Sequence, residues 1–151
     1  MTDRIPRQTL TPALAVRGAS DAIEYYKKAF GAEELFRVPG RDGRIPHAQM
    51  SIAGSVFFVS DEFPEMPNSG RSPATLGGTT GAIYMYVDDV DAVYERAVKA
   101  GGKALWPVKD QFWGDREGVV LDPFGHMWAI ATRKREVDLA AIRQKQLEEG
   151  P

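Results

Sequence analysis

The chain has 151 residues, of which 43% are hydrophobic and 26% charged, the composition of a soluble protein that can bury the core of one domain. Its 19 basic and 21 acidic side chains leave a net charge of −2, so neither nucleic acid nor a membrane surface is expected as a partner. The absence of cysteine excludes disulfides, thiolate metal sites and cysteine nucleophiles. No apolar run is long enough to span a bilayer and the first residues lack a signal-peptide pattern, so we expect a cytoplasmic protein.

Residues 9–62 are predicted to form a module with the element order βαβββ. An alternating strand over residues 10–16 precedes a helix over residues 19–30, whose apolar side chains recur at spacings of three and four and make one buried stripe. Gly18 lies at the N-cap position of this helix, and Gly31 lies where a left-handed C-cap would end it. The strands EELFRV, HAQMSI and SVFFVS follow, separated by the turns PGRDGR and AGS.

The same elements recur 71 residues later, over residues 80–133, as the strand GAIYMYV, a helix, and the strands KALWPV, GVVLD and HMWAIA. Without a gap, VRGASDAIEYYKKAFG aligns with VDDVDAVYERAVKAGG, and the offset continues from Gly54 to Gly125. Asp89 is the expected N-cap of the second helix and Gly102 its expected C-cap. The turns of this copy are DQFWGDRE and PFG. The alignment indicates a duplicated module.

Two further segments complete a single domain of residues 1–151. Residues 63–79 are rich in Pro, Gly and Ser, which predicts a solvated linker between the modules. Residues 136–149 carry a weak apolar stripe and predict a C-terminal helix that packs across a surface or a partner subunit. Adjacent carboxylates such as Asp61 and Glu62 lie at strand ends, where a solvated surface role is expected.

Alternation divides the predicted strands into two faces of different chemistry. One face is uniformly apolar and is expected to pack under the helices; it comprises Leu14, Val16, Ala48, Met50, Ile52, Phe57, Val59, Ile83, Met85, Val87, Trp128 and Ile130. The opposite face mixes small residues, aromatic rings and a few polar groups; it comprises Thr11, Ala13, Ala15, His47, Gln49, Val56, Phe58, Ser60, Ala82, Tyr84, Tyr86, Met127, Ala129 and Ala131. That mixture predicts a ligand cavity, with a second semi-polar core or a dimer seam as the alternative.

The predicted ligand contacts are His47, Gln49, Phe58, Tyr84, Tyr86, Trp113, Arg116 and Met127. His47 is the candidate catalytic residue, since imidazole titrates near neutral pH, or else a structural histidine bonded to a neighbouring carbonyl. Tyr84 and Tyr86, two residues apart on one strand, either stack on a flat ligand or simply fill the barrel. His126, in the turn PFGH, is interpreted as a hairpin residue.

The segment FWGDRE is predicted to form a turn at the mouth of this cavity. There the Trp113 ring would border the ligand, and the Arg116 guanidinium would hold an anionic group of it. Alternatively, Asp115 and Arg116 pair with each other and only stabilise the turn. Phe58 is expected to form an apolar wall of the cavity.

The paired modules and the run FWGDREGVVLDPFGHMWAIAT resemble the vicinal oxygen chelate superfamily of glyoxalases, bleomycin-resistance proteins and extradiol dioxygenases. The WGDR turn, the DPFGHMW hairpin and the FGA after the first helix are similar to the PhnB-like branch. The resemblance covers about residues 9–133. It implies an α+β fold in which two βαβββ modules form a half-open barrel (the glyoxalase/bleomycin resistance/dihydroxybiphenyl dioxygenase fold) with the site on its concave face.

The resemblance also implies where four His and Glu ligands of a divalent metal would lie, and these positions hold Thr11, Phe58, Ala82 and Ala129. None of the four is a usual metal ligand, and a shift of the alignment by one residue supplies none. We therefore expect no metal at this site and no other cofactor.

Two functions remain open at this stage. In the first, the chain binds a small, partly aromatic or anionic molecule in its concave cavity without a catalytic metal, in the manner of bleomycin-resistance proteins. In the second, it is a lyase, isomerase or dioxygenase-type enzyme of the same superfamily, acting on a small organic substrate. A homodimer is expected in either case, because the modules of this superfamily are commonly completed against a second copy and the C-terminal helix has no obvious intrachain partner.

Overall fold

The computed structural model describes residues 7–151, and the elements follow the predicted order with one added helix. They are β1 (Ala13–Val16), α1 (Ala19–Phe30), β2 (Glu33–Val38), β3 (His47–Ile52), β4 (Ser55–Asp61), α2 (Pro73–Leu76), β5 (Ala82–Tyr86), α3 (Val90–Lys99), β6 (Lys103–Asp110), β7 (Asp115–Leu121), β8 (Met127–Arg133) and α4 (Leu139–Glu149). Sheet one has the strand order β1-β4-β3-β2, and sheet two has the order β5-β8-β7-β6. Within residues 7–151 no strand pairing joins the two sheets, so the predicted α+β fold of two βαβββ units in a half-open barrel is confirmed.

The outer strands of the two units repeat with the predicted offset. Ala13 of β1 lies opposite Phe58 of β4 in a parallel pair, and the same pair recurs 71 residues later as Tyr84 of β5 and Ala129 of β8. Because the register is the same, a residue on one face of sheet one has its counterpart on the same face of sheet two.

The gap-free alignment is wrong for one inner strand. The turn between β3 and β4 has two residues, since Ile52 pairs with Ser55. The turn between β7 and β8 has three, because the Asp122 N–H donates to the His126 carbonyl oxygen across Pro123–Gly125. Strand β7 therefore corresponds to β3 at an offset of 70 residues, and this one-residue difference changes which of its side chains face the concave side.

The predicted helix ends are confirmed at three of the four positions. Gly18 is the N-cap of α1, and Gly31 ends α1 in the left-handed region with φ 64°. The Asp89 side chain caps α3 by accepting a backbone N–H of its first turn. The Gly102 prediction is wrong, because the positive φ of 125° lies at Gly101. Gly102 serves close packing instead, since a Cβ there would lie 2.6 Å from the Tyr25 hydroxyl and force a shift.

The main core lies where the helices of the two units meet. Helix α1 packs against α3, and the rings of Tyr26 and Phe30 lie 5.3 Å and 4.6 Å from that of Trp128. The Asp122 carboxylate accepts bonds from the Tyr26 hydroxyl at 2.7 Å and from the Trp128 indole N–H at 2.9 Å, which satisfies these buried polar groups. Every residue of the predicted helix-facing set is buried in this core or packed against it, so that prediction is confirmed.

Asp61 is buried, in contrast to the solvated role expected for it. Its carboxylate accepts the backbone N–H groups of Gly18 and Ala19 at 2.9 Å and of Ile45 at 2.7 Å. The side chain thus fastens the start of α1 to the end of β4, where Gly18 has no side chain with which to cap the helix.

Glu62 is buried as well and holds the linker against unit one. It accepts a bond from the Ser72 N–H at 2.8 Å and contacts the Thr75 hydroxyl at 2.7 Å. The bond from the Ser72 N–H, followed by that from Thr75, lowers the pKa of Glu62 to about 2. The linker is therefore anchored and contains the short helix α2, which its composition did not predict.

Helix α4 lies apart from the core. It begins at Leu139 rather than at 136, and none of its side chains is buried. Leu139 and Leu147 are exposed. None of the helices within residues 7–151 is long and apolar enough to cross a membrane.

Candidate functional site

The concave face of sheet one carries the first group of predicted ligand contacts. His47 and Gln49 alternate along β3, and Gln49 lies opposite Phe58 of β4. The His47 Nε2 lies 2.9 Å from the Gln49 amide nitrogen, and the His47 ring meets Phe58 edge-on at 4.8 Å. His47 therefore contacts an amide and a ring rather than a carboxylate that would orient it as a general base.

Sequence reasoning missed two apolar neighbours of this group. Val38 of β2 lies opposite His47, and Phe36 lies opposite Gln49, so both share the concave face and both are exposed. The alternation of EELFRV was a usable signal, because residues 36 and 38 are the apolar members of one face.

The concave face of sheet two carries the second group. Tyr84 and Tyr86 lie on β5 and Met127 on β8, as predicted. Strand β7 adds two acidic side chains that were not predicted there, since Glu117 lies opposite Ala131 and is thereby on the same face as Tyr86.

Asp115 is the other unpredicted acid, and it belongs to β7 rather than to a turn. It lies opposite Arg133, two positions along from Glu117 on the same face. At the offset of 70, Glu117 is the counterpart of His47, which the gap-free alignment concealed. The alternation of Asp115, Glu117 and Val119 was the signal available in the sequence.

The tyrosine hydroxyls and the two acids form one hydrogen-bonded cluster. The Tyr84 Oη lies 2.7 Å from Asp115 Oδ2 and 2.9 Å from Glu117 Oε2. The Tyr86 hydroxyl donates to the same Asp115 oxygen at 3.0 Å. Arg133 Nε lies 3.1 Å from the other Asp115 oxygen, which balances part of the buried negative charge. We call these five side chains the tyrosine–acid cluster.

The cluster is open on its aromatic side and closed on its acidic side. Tyr84 and Tyr86 are 46% and 56% exposed, whereas Asp115 and Glu117 are only 2% and 5% exposed. The two rings lie 5.4 Å apart with their planes inclined by 58°. The hydroxyl ends are thus held by buried acceptors while the rings are presented outward.

The Tyr84 hydroxyl is held in its neutral form. Burial of the hydroxyl end, followed by its hydrogen bonds to Asp115 and Glu117, raises the pKa of Tyr84 well above its usual value of 10.0. The Trp113 indole acts in the opposite direction on this pKa, which places Trp113 beside the cluster as predicted. Tyr84 is therefore a hydrogen-bonding phenol near neutral pH and not a phenolate base.

Arg116 lies elsewhere than predicted. It is opposite Thr132 on β7, on the helix side of sheet two, where its guanidinium donates to Asp91 at 2.8 Å and to Asp110 at 3.2 Å. The alternative pairing with Asp115 is not formed either, because alternation along the strand points the two side chains to opposite faces. Asp115 pairs with Arg133 instead.

His126 has a structural contact, in agreement with its interpretation as a hairpin residue. Its Nε2 donates to the Ala15 carbonyl oxygen at 2.8 Å, so the ring links the β7–β8 turn to strand β1. Within residues 7–151 no hydrogen bond or ring contact joins the His47 group of sheet one to the tyrosine–acid cluster of sheet two.

The four expected metal-ligand positions do not fit a divalent metal. Phe58 and Ala129 occupy the last strands of the two units, Ala82 begins β5, and Thr11 precedes β1. These side chains offer one hydroxyl and no imidazole or carboxylate. Among residues 7–151 no group of three or more His, Cys, Asp or Glu side chains is placed to hold a metal ion.

Comparison with known proteins places these observations in a family. The profile of the Glyoxalase/Bleomycin resistance protein/Dioxygenase superfamily matches residues 9–130. An uncharacterized protein of Mycobacterium bovis is 44% identical over 142 residues, which cover 93% of each chain.

Solved structures show the same fold. TioX from Micromonospora sp. ML1 is 27% identical with a TM-score of 0.65, over 84% of this chain and 99% of TioX. A PhnB protein from Bacillus cereus has a TM-score of 0.63 over 83% of this chain and 99% of its own, and its 20% identity supports the shared fold alone.

Proposed function

Because the chain belongs to the Glyoxalase/Bleomycin resistance protein/Dioxygenase superfamily, we propose that it binds a small, partly aromatic molecule against Tyr84 and Tyr86, without a catalytic metal. The observation that carries the proposal is the tyrosine–acid cluster, in which exposed rings are held at their hydroxyl ends by buried carboxylates. The PhnB-like branch is the part of the superfamily that the WGDR and DPFGH segments favour.

The cluster favours binding because it is ordered before a ligand arrives. Hydrogen bonds at 2.7 Å and 3.0 Å to Asp115 limit the rotation of both rings, which lowers the entropy lost on binding. Stacking on such a ring contributes about 0.5–1.5 kcal/mol beyond the area it buries. Two inclined rings can therefore hold one flat group by face and edge contacts.

The charges on this face favour an aromatic rather than an anionic ligand. Arg116, which was expected to bind an anionic group, is paired with Asp91 and Asp110 on the other side of sheet two. Arg133 is paired with Asp115, and Glu117 adds a further negative charge. A ligand that donates hydrogen bonds suits these acceptors better than one that carries a carboxylate.

The enzymatic alternative, a lyase, isomerase or dioxygenase-type activity on a small organic substrate, relies on His47. The contacts of its ring are Gln49 and Phe58, with no carboxylate to orient the imidazole. The positions at which this superfamily holds its metal carry no suitable ligands. Binding therefore needs fewer additional assumptions than turnover.

We extend the proposal to a homodimer. Phe36, Val38, Tyr84, Tyr86 and Trp106 leave large apolar surfaces exposed on the concave sides of the two sheets. Exposed apolar area of this kind is typical of a surface that another protein covers. A second copy can cover both faces at once, and α4 offers it further unburied side chains. Light scattering at micromolar concentration should give twice the 16.7 kDa of one chain, and a monomer mass would contradict the dimer.

The binding proposal is tested with 2-naphthol, a neutral aromatic probe, followed by calorimetry. Tyr84→Ala should weaken binding by about 1–3 kcal/mol, as expected for loss of a ring contact. Phe63→Ala is the matched control, because Phe63 lies in the linker beneath Arg44 and outside the cluster. Equal loss in the two variants, or no binding of the probe, would remove the support for the site.

A second measurement separates binding from catalysis. Elemental analysis of protein purified without an affinity tag should find well under one equivalent of zinc, nickel, manganese or iron. Generic dicarbonyl and catechol substrates should not turn over. Stoichiometric metal that a chelator removes together with an activity would favour the enzymatic alternative.

A further inference from the structure

The two units treat their edge strands differently. In β1 the Ala15 carbonyl oxygen is closed off by the His126 ring, whose Nε2 donates to it at 2.8 Å. Across the repeat, Ala15 corresponds to Tyr86 of β5, and His126 corresponds to Ser55 at the start of β4. The equivalent of this bond would thus join residue 55 to the Tyr86 carbonyl, and a serine stands where the second unit has a histidine.

The backbone of Tyr86 faces this open edge. The Val87 N–H donates to Ala131 of β8, so the odd-numbered residues of β5 direct their N–H and C=O groups toward β8. The N–H and C=O groups of Tyr84 and Tyr86 therefore point the other way. Among residues 7–151, β5 pairs with no strand other than β8.

A cavity of about 520 Å³ lies at this edge, and Ser55 and Tyr86 are both among its lining residues. Two differences between the turns explain the space. The β3–β4 turn is one residue shorter than the β7–β8 turn, and it holds Ala53 and Gly54 where the other turn carries the Phe124 ring close to Gly18. At the first edge the linker adds cover, since a Cβ on Gly70 would lie 3.3 Å from that of Ala15.

The lining combines apolar walls with few polar groups. Leu10, Ile52, Val56 and Met85 supply the walls. The Tyr86 carbonyl and the Ser55 hydroxyl add one acceptor and one group that can donate or accept. The volume lies within the range of small-molecule sites.

We propose that this cavity, which we call the edge cavity, binds a flat heterocycle with a ring N–H, of the imidazole or indole type, that donates to the Tyr86 carbonyl oxygen. The His126 ring makes this contact with Ala15 in the other unit, so the molecule itself contains the ring-to-carbonyl geometry that the ligand reproduces. The edge cavity uses the backbone of Tyr86 and not the tyrosine hydroxyls, so it is separate from the tyrosine–acid cluster.

The chemical test compares benzimidazole with 1-methylbenzimidazole, which has the same flat ring system without the N–H. Binding to the full chain is followed by the NMR shifts of the backbone amides of Ser55 and Met85. Benzimidazole should bind with a Kd of about 1 mM or tighter, in keeping with its size. Methylation should weaken binding at least about tenfold, because the buried carbonyl then loses its donor. Equal binding of the two compounds, or no shift at these residues, would overturn the proposal.

Variants at one position test the location. Ser55→His places in the cavity the ring that unit two carries, and it should abolish benzimidazole binding. Ser55→Ala is the matched control and should change the Kd less than about twofold, since it neither fills the cavity nor removes the carbonyl acceptor. Urea unfolding of both variants verifies that they fold. The proposal fails if the two substitutions have the same effect on the Kd.

A third variant tests the other occupant that the cavity could have. A chain that begins at Arg7 should bind benzimidazole with an unchanged Kd. An affinity about tenfold higher in this variant would assign the cavity to the chain's own first six residues, which precede Gln8 and Leu10 at its wall, and would overturn the proposal.

Discussion

Sheets one and two share their topology and the register of their outer strands, yet their concave faces carry different chemistry. Where β1 has Ala13 and Ala15, β5 has Tyr84 and Tyr86. Where β3 has His47, β7 has Glu117. The same backbone thus supports a small-residue edge beside an imidazole in one sheet and a tyrosine–acid cluster in the other.

The difference shows that the tyrosines and the acids of sheet two depend on one another. A carboxylate as buried as Asp115 requires donors, and the hydroxyls of Tyr84 and Tyr86 are two of them. Alanines at these positions, as in sheet one, would leave Asp115 with Arg133 alone. The ligand-binding potential of the molecule is therefore concentrated in sheet two.

The last strands of the two sheets also solve one problem with different groups. Asp61 ends β4 and accepts three backbone N–H groups around the start of α1. Its counterpart Thr132 on β8 accepts one, from Val90 at the start of α3, at 3.0 Å. A buried carboxylate should contribute more to stability than a hydroxyl in this position.

The largest expected effect is on this pair. Asp61→Ala should lower the free energy of unfolding by about 3–5 kcal/mol, because it leaves buried N–H groups without an acceptor. Thr132→Ala should cost only about 1 kcal/mol, as for loss of one helix cap. Urea denaturation of both variants measures the difference, and equal losses would contradict the comparison.

The next effect concerns the cluster of sheet two. Tyr84→Phe should destabilise the fold by about 1–2 kcal/mol, since the ring remains while Asp115 and Glu117 lose a donor. Tyr94→Phe is the control, because its ring packs near Gly118 on the helix side of the same sheet. Thermal and urea unfolding should rank Tyr84→Phe below Tyr94→Phe, and the reverse order would refute the role assigned to the hydroxyl.

The raised pKa of Tyr84 makes stability depend on alkaline pH. Above the usual value of 10.0 the unfolded chain loses this proton while the folded chain keeps it, so the free energy of unfolding should fall as pH rises past about 10. Tyr84→Phe should reduce the slope of this fall without removing it, because the pKa of Tyr26 is raised as well. An unchanged slope would contradict the neutral phenol.

The smallest effect is expected at acid pH, from the linker anchor. The lowered pKa of Glu62, about 2 against an ordinary value of 4.5, means that its contribution is complete above pH 4.5 and is lost as pH falls toward 2. Glu62→Gln should flatten the acid side of the stability profile over this interval. Glu65→Gln is the control, since Glu65 contacts Arg44 at the surface, and a flattening of the same size in this variant would count against the anchor.

Much of the fold could be predicted from sequence periodicity. The alternation of the strands and the apolar stripe of α1 placed the βαβββ order and the helix-facing set correctly, because both patterns are local and repeat in each unit. The linker helix α2 and the burial of Asp61 and Glu62 could not be predicted, since they depend on contacts between segments distant in the chain.

The candidate site was predicted in part. Alternation placed Tyr84, Tyr86 and Met127 on the concave face, but Arg116 was assigned to a turn and lies on the opposite side. The cause is the starting point of β7. Because side chains alternate with a period of two, extending this strand back to Asp115 reverses the face on which each residue of the WGDR segment lies.

The sequence by itself determined the duplicated βαβββ order, the two faces of each strand and the absence of usual ligands at the expected metal positions, because these follow from residue type and local spacing. The tertiary structure alone decided which buried acid meets which hydroxyl. Asp115 and Tyr84 are 31 residues apart, and only the pairing of β5 and β7 with β8 brings them within 2.7 Å. The one-residue difference between the hairpin turns acts in the same way, because its effect on the register and on the open edge of β5 appears only when the two units are placed side by side.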